Sequence, residues 1–238
     1  MLALLCFGLH ACKHSDGPFG PNPLSEGVSP GIVPLKVGYY WNYKEYILNQ
    51  DGTTGAQIDA FNYQITTTSM DPTGLIQEPM FERITFAPSV GMASDFVWLY
   101  RNYDDGLYLM GGIMPTDSVF MKLPLLRYPA KPGDSCIHPH LVYDLLLREY
   151  IISDSVLYTC VDTSATFETP LGTFQCVVYF HREDLEEDVL AKWDHYDYYA
   201  PGIGLVGATK YDFFEHTGES FPHSKTVLVE TDVQGEKQ

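Results

Sequence analysis

The sequence predicts an all-β protein with one or two short helices. Three observations carry that reading. Aromatic residues are 14% of the 238-residue chain, with 17 Tyr and 13 Phe, and a ring with a wet tip suits a half-buried sheet surface. Apolar and polar residues alternate in part over short runs such as Tyr39-Tyr40-Trp41-Asn42-Tyr43-Lys44-Glu45-Tyr46, the period of a strand with one face inward. Pro and Gly punctuate these runs, most sharply at Thr169-Pro170-Leu171-Gly172 and Ala200-Pro201-Gly202, where a tight turn feeds directly into an apolar stretch. Hydrophobic residues at 45% against 19% charged exclude disorder for the bulk of the chain. A compact chain of this length buries roughly 70–75% of its unfolded surface, so a core needs no covalent staples.

Taken in order, the folded part opens at Pro34-Leu35-Lys36-Val37-Gly38, and the aromatic run to Tyr46 is its first strand. Asn49-Gln50-Asp51-Gly52 turns the chain into a second strand at Ile58–Thr68, followed by strands at Phe81–Phe86, Phe96–Tyr103 and Leu107–Met110. The last two are joined through Asp104-Asp105-Gly106, a hairpin signal because Asp-Gly supplies the positive φ of a short primed turn. Pro129-Ala130-Lys131-Pro132-Gly133 repeats the Pro-x-Lys-x-Gly pattern of residues 34–38, which would mark two related half-sheets begun by the same entry turn. Leu141–Ile152 suits a helix or a strand. Val156–Val161, Thr166–Thr169 and Phe174–Phe180 read as strands, and Leu205–Phe214 and Lys225–Glu230 close the sheet. Glu183–Trp193 is the helical candidate, with Leu185, Val189 and Trp193 at i, i+4 and i+8. Its acids lie towards the start and Lys192 near the end, as the helix dipole favours. Gly235–Gln238 is expected to fray.

The N-terminus carries an address. Residues 1–11 form an apolar run of signal-peptide length, too short to span a bilayer as a helix. Leu9-His10-Ala11-Cys12 resembles a lipobox, the bacterial lipoprotein signal, which implies cleavage before Cys12 and a diacylglycerol thioether on its sulfur. No Lys or Arg precedes the apolar run, which implies a start codon upstream of Met1. Residues 13–31 are dense in Pro and Gly and read as a flexible tether with an r.m.s. reach of roughly 25 Å. The expected organisation is a signal peptide at 1–12, a tether at 13–31 and a single domain at 32–234, lipid-anchored to the outer membrane of the cell envelope with its facing side open.

Composition also sets limits on function. A net charge of −17 repels phosphate backbones, so nucleic acid is excluded as a partner. The body holds three cysteines, Cys136, Cys160 and Cys176. Cys160 and Cys176 bracket the Thr169–Phe174 turn and are the pair a bridge would join, yet simple hairpin register places Cys160 opposite a residue near 181, so the bridge stays open.

Several motifs carry possible chemistry. Gly202-Ile203-Gly204-Leu205-Val206-Gly207 spells G-x-G-x-x-G, but a strand-like run follows it where a dinucleotide site needs a helix. The glycines are expected to serve a turn and a bulge. Cys136-Ile137-His138-Pro139-His140 would offer metal ligands, completed by His181 or His195. Pro139 breaks strand geometry there and no second ligand pair exists, so ordinary loop histidines are expected and no metal or cofactor. The acidic run 183–188 lacks the central glycine of a calcium loop. No G-x-S-x-G, H-E-x-x-H or Walker sequence occurs, and no catalytic residue is assigned. Trp41, Trp98, Tyr100, Tyr108 and Phe120 either line a cavity for an acyl chain or fill a closed core; both stay open.

Pro-Leu-Lys-Val-Gly-x-x-Trp-x-Tyr at 34–43, Thr-Pro-x-Gly-Thr-Phe at 169–174 and Tyr-Tyr-Ala-Pro-Gly-x-Gly-Leu-Val at 198–206, together with the lipobox, resemble a recurring set in uncharacterised Gram-negative envelope lipoproteins. These in turn are similar to LolA-like half-barrels, in which a curved antiparallel sheet has a helix or loops over its concave side. The resemblance implies an open half-barrel, a non-enzymatic protein and an apolar ligand or an envelope protein as partner, beside the membrane reached through the anchor. It fixes no ligand-binding residue. The alternatives are an interaction lipoprotein with a filled core, or a metal-assisted hydrolase centred on His138 and His140.

Overall fold

The computed structural model describes residues 31–36, 38–68, 80–86, 97–113, 118–144, 149–184 and 191–233. The signal peptide with Cys12, the tether up to residue 30 and the C-terminal Gly235–Gln238 lie outside the described residues, as do the side chains of Trp98, Phe120 and His140.

Twelve strands form one antiparallel sheet. They are β1 (Tyr40–Leu48), β2 (Thr54–Thr68), β3 (Met80–Phe86), β4 (Val97–Tyr103), β5 (Gly106–Ile113), β6 (Ser118–Arg127), β7 (Ser135–Asp144), β8 (Glu149–Thr169), β9 (Gly172–Asp184), β10 (Ala191–Ala200), β11 (Gly204–Phe214) and β12 (Glu219–Thr231). The order across the sheet is β6-β5-β4-β3-β2-β1-β12-β11-β10-β9-β8-β7. Two six-stranded meanders, β1–β6 and β7–β12, thus lie side by side and join along β1 and β12, where Trp41 faces Thr231. The sheet is open: β6 and β7 are its edges, and among the described residues they share no backbone ladder. Strong curvature brings these edges into contact. The Tyr179 hydroxyl, reaching over from β9, donates to the Arg127 carbonyl, and His138 Nε2 on β7 bonds the Leu125 carbonyl of β6.

The Pro-x-Lys-x-Gly repeat corresponds to a repeated turn. Gly38 and Gly133 both have φ +94°. In each copy the residue after the glycine bonds back to the lysine carbonyl, Tyr39 N to Lys36 O at 3.0 Å and Asp134 N to Lys131 O at 2.9 Å. Each turn stands directly before one meander. The Asp104-Asp105-Gly106 hairpin also forms, with Tyr103 opposite Gly106. Glycine is needed there for closeness as well as for its φ of +145°: a Cβ would lie 2.0 Å from the Leu126 carbonyl oxygen on β6.

Two expectations are corrected. No helix occurs among the described residues, and the ends of the expected helix Glu183–Trp193 are strand: Glu183 and Asp184 finish β9, and Ala191–Trp193 begin β10. Lys192 pairs with Asp184 and Trp193 with Glu183 across the two strands, so ladder bonding and cross-strand packing override the helical spacing; residues 185–190 between them lie outside the described residues. The loop expected around Cys136–His140 is strand β7. Pro139 is tolerated because β7 is a sheet edge, where a missing N–H need leave no partner unpaired. The ambiguous stretch Leu141–Ile152 resolves as strand at 141–144 and 149–152.

The concave side is covered by the N-terminal stretch in place of a helix. Ile32 is fully buried against Leu107 and Leu126 of one meander and Cys160, Val177 and Tyr179 of the other. This segment is held by Asn102 Nδ2, which donates to Val33 O at 2.7 Å, and by Gly202 N, which donates to Gly31 O at 3.2 Å. On the other face the long β8 folds onto β11 and β12, carrying Phe167 onto Tyr198 with ring centroids 4.4 Å apart. Cys136, Cys160 and Cys176 are buried, and none is in a disulfide. Two bulges in β8 set Cys160 opposite Tyr179 and Ala165 opposite Cys176, so the sulfurs never face each other.

Candidate functional site

The aromatic side chains of β1 and β2 open a space within the curve. Alternation turns Trp41 and Tyr43 inward, opposite Tyr63 and Phe61. Their polar tips bind the turn that follows β10: Trp41 Nε1 donates to Ile203 O at 2.6 Å, and the Tyr43 hydroxyl donates to Leu205 O at 2.7 Å. The Gly202–Gly207 motif is accordingly a turn leading into β11, with a register shift opposite Tyr198 and Tyr199, and no helix follows it. Between these strands, the covering segment and β6–β8 lies a cavity of about 260 Å³. Val33, Leu35, Tyr63, Tyr100 and Leu205 give it apolar walls, and His138 and Tyr158 supply its polar side. Of the aromatics named from the sequence, Trp41 and Tyr100 line this cavity, and Tyr108 is buried against Tyr103.

From that polar side a column of rings runs across four neighbouring strands. His138 of β7 stacks on Tyr158 of β8 (3.7 Å between centroids), Tyr158 on His181 of β9 (4.1 Å), and His181 on His195 of β10 (4.4 Å). Register explains the last contact, since His181 and His195 are direct cross-strand partners. Glu183, two residues beyond His181, shares its face. One Glu183 oxygen lies 3.4 Å from His181 Nε2 and the other 3.4 Å from His195 Nε2. The two imidazoles, His181 foremost, hold the Glu183 carboxyl well below the usual carboxylate range. Asp197 approaches His181 Nδ1 at 3.7 Å. Burial raises its pKa, against the pull of His181 and His195. The Tyr158 hydroxyl is 3.3 Å from His181 Nε2. Burial lowers the pKa of His138 to about 4 and raises that of Tyr158.

The structure joins His181 to His195, and it adds Glu183. Tyr158 stands between His138 and His181, so the histidine of the Cys136–His140 segment is one ring away from the cluster. Glu183, Asp197 and Tyr158 were not singled out as site residues from sequence. Their signal is the alternation His181-x-Glu183 and Trp193-x-His195-x-Asp197-x-Tyr199, which a helical reading of 183–193 hides.

No family model and no curated protein matches the chain. Two solved structures share its fold. A Parabacteroides distasonis protein provisionally classed as a lipoprotein is 16% identical with a TM-score of 0.51, covering 86% of this chain and 99% of its own. A Bacteroides fragilis protein provisionally classed as exported, with a YmcC-like fold, is 18% identical with a TM-score of 0.51, covering 85% of this chain and 99% of its own. At such identities the likeness is one of fold.

Proposed function

We propose that this chain is a lipid-anchored envelope protein that works by binding, and that it holds an apolar ligand inside its curved sheet. The cavity beside Tyr63 and Tyr100 carries the reading. At about 260 Å³ it exceeds a benzene-sized void of roughly 150 Å³ and lies just below the 300–1,000 Å³ of common ligand pockets. A ring, or the terminal part of one acyl chain, is therefore the fitting guest, and a whole lipid would leave most of its length outside. That is a smaller payload than LolA-like carriage of complete acyl chains implies. The lipobox at Cys12 supports a lipid anchor, and the provisional descriptions of both fold neighbours, a lipoprotein and an exported protein, support the cell envelope as the compartment; the outer membrane is our assignment within it.

The test is ligand retention. Gently extracted protein should release a stoichiometric apolar compound on organic extraction, and the emptied protein should bind a naphthylamine dye that Leu35→Trp, which fills the cavity, excludes. Empty extracts and no dye binding by a folded protein would end the reading. Anchoring is tested separately: Cys12→Ser should move the protein to the soluble fraction, and unchanged fractionation would reject lipidation.

A second reading, an envelope protein as partner, draws on one observation. Ile137 and Leu157 are cross-strand partners on β7 and β8, each 53% exposed, at the edge of the sheet. A packed, ligand-free interior with association lost on Ile137→Asp would favour it.

A further inference from the structure

We propose that His181, Glu183 and His195 form a binding site for one divalent transition-metal cation of the zinc class, on the inner wall next to the cavity. The donor atoms of the three side chains lie within 4.8 Å of one another. The two nitrogen–oxygen contacts are both 3.4 Å. That is longer than the roughly 2.7–3.2 Å of an N–H···O hydrogen bond. Each contact uses a different carboxylate oxygen, and about 3.4 Å is also the donor–donor edge of a tetrahedron whose metal–ligand bonds are about 2.1 Å. An imidazole nitrogen donates in its ring plane, so a shared cation would tilt the two stacked rings, 12° apart, out of parallel.

A second observation points the same way. His195 Nε2 and His181 Nδ1 are both buried and have no hydrogen-bond partner. A buried nitrogen without a partner is destabilising, and a cation on His195 Nε2 would satisfy one of the two. The other, His181 Nδ1, faces Asp197 at 3.7 Å, the arrangement by which an outer carboxylate orients a metal-bound imidazole. The ligands sit on paired strands, with His181 opposite His195, so the ladder brings the three side chains together before any ion arrives.

The donor set selects the class of ion. Two imidazoles and one carboxylate suit zinc and its neighbours, whereas calcium and magnesium want oxygen donors throughout. Three protein ligands leave a fourth position open. Tyr158, 3.3 Å from His181 Nε2 and part of the cavity wall, is the nearest group to that position. Lys210 is the counterargument: it is the cross-strand partner of His195, and its ammonium lies over the Trp193 ring at 3.1 Å. The Glu183 carboxylate sets a negative charge against it.

The experiment is equilibrium dialysis of tag-free, chelator-stripped protein against zinc chloride, with bound metal read by mass spectrometry. One zinc per chain is expected. His195→Ala and Glu183→Gln should each weaken binding at least about 30-fold and Asp197→Asn about 10-fold, while His216→Ala, on an exposed turn, leaves affinity unchanged. If a variant fails to fold, the wild type decides alone: zinc at about 100 times its Kd should raise Tm by roughly 5 °C or more, and bound cobalt should give a tetrahedral visible spectrum. No saturable zinc on folded wild type at 100 µM, or full affinity in both folded ligand variants, would overturn the site. None of the three ligands lines the cavity, so dye binding persists in the variants and the two proposals fail independently.

Discussion

The imidazoles of His181 and His195 lie nearly parallel, 4.4 Å apart with 12° between their planes, as cross-strand partners on β9 and β10. Glu183 ties the two rings together, one carboxylate oxygen 3.4 Å from each Nε2, and Tyr158 stacks on the far face of His181.

Tyr158 is the link between that pair and the cavity. Tyr158→Phe keeps the ring between His138 and His181 and loses only the hydroxyl contact to His181 Nε2, at an expected cost of about 0.5–1.5 kcal/mol. Tyr158→Ala removes the ring and should cost about 3–5 kcal/mol. Urea unfolding of both variants checks the ordering, and equal losses would show that the stack contributes nothing.

His138 gives the fold an acid-side sensitivity. Burial lowers its folded pKa to about 4 from the ordinary 6.5, so between those values the unfolded chain binds more protons than the folded one. Stability therefore rises with pH across this window and is lost as pH falls from 6.5 towards 4, by no more than about 3 kcal/mol. Other carboxylates titrate nearby, so the reading is a difference: unfolding free energy of wild type minus that of His138→Gln, measured from pH 4 to 7.5. A flat difference would contradict the burial of this ring.

Gly207 is where the outer layer comes closest to the sheet. A Cβ there would lie 2.1 Å from the Phe167 ring and 2.7 Å from the Thr226 carbonyl oxygen. Gly207→Ala is expected to cost about 1–3 kcal/mol through overpacking, part of which Phe167→Leu restores. Thermal melts of the single and double variants decide it. Additive losses would place Phe167 elsewhere.

The three cysteines of the body are expected to be inert in the native protein. All are buried and none is in a disulfide, and burial pushes the Cys176 thiol up to about 12, which leaves almost no thiolate to react. Iodoacetamide should modify Cys136, Cys160 and Cys176 only after denaturation. A mass two protons lower for the native protein would reveal a bridge.

Most central strands are legible in the sequence because one face is apolar and the turns are marked by Gly, Asn and Asp. Three strands are not legible there: β10, whose first residues fall in the helical reading of 183–193, and β6 and β7, the edges of the sheet, each of which contains a proline, Pro124 and Pro139. Proline argues against a strand unless the strand is an edge, and edge position is a property of the whole sheet that no local window contains. The same locality hid the site. Leu185, Val189 and Trp193 satisfy a helical period, while the competing alternation through His181, Glu183, His195 and Asp197 becomes meaningful only once β9 and β10 are paired. The cavity depends on curvature summed over all twelve strands, so sequence supplies its aromatic lining without its volume.

Where β6 meets β7, the described residues show two side chains, Tyr179 and His138, reaching across in place of the row of amide bonds that laces every other pair of neighbours. Such a join parts at far lower cost than a ladder, and His138 and Leu125 stand both at it and in the cavity wall. For the ligand proposed above, it offers a way in from the side instead of through an end.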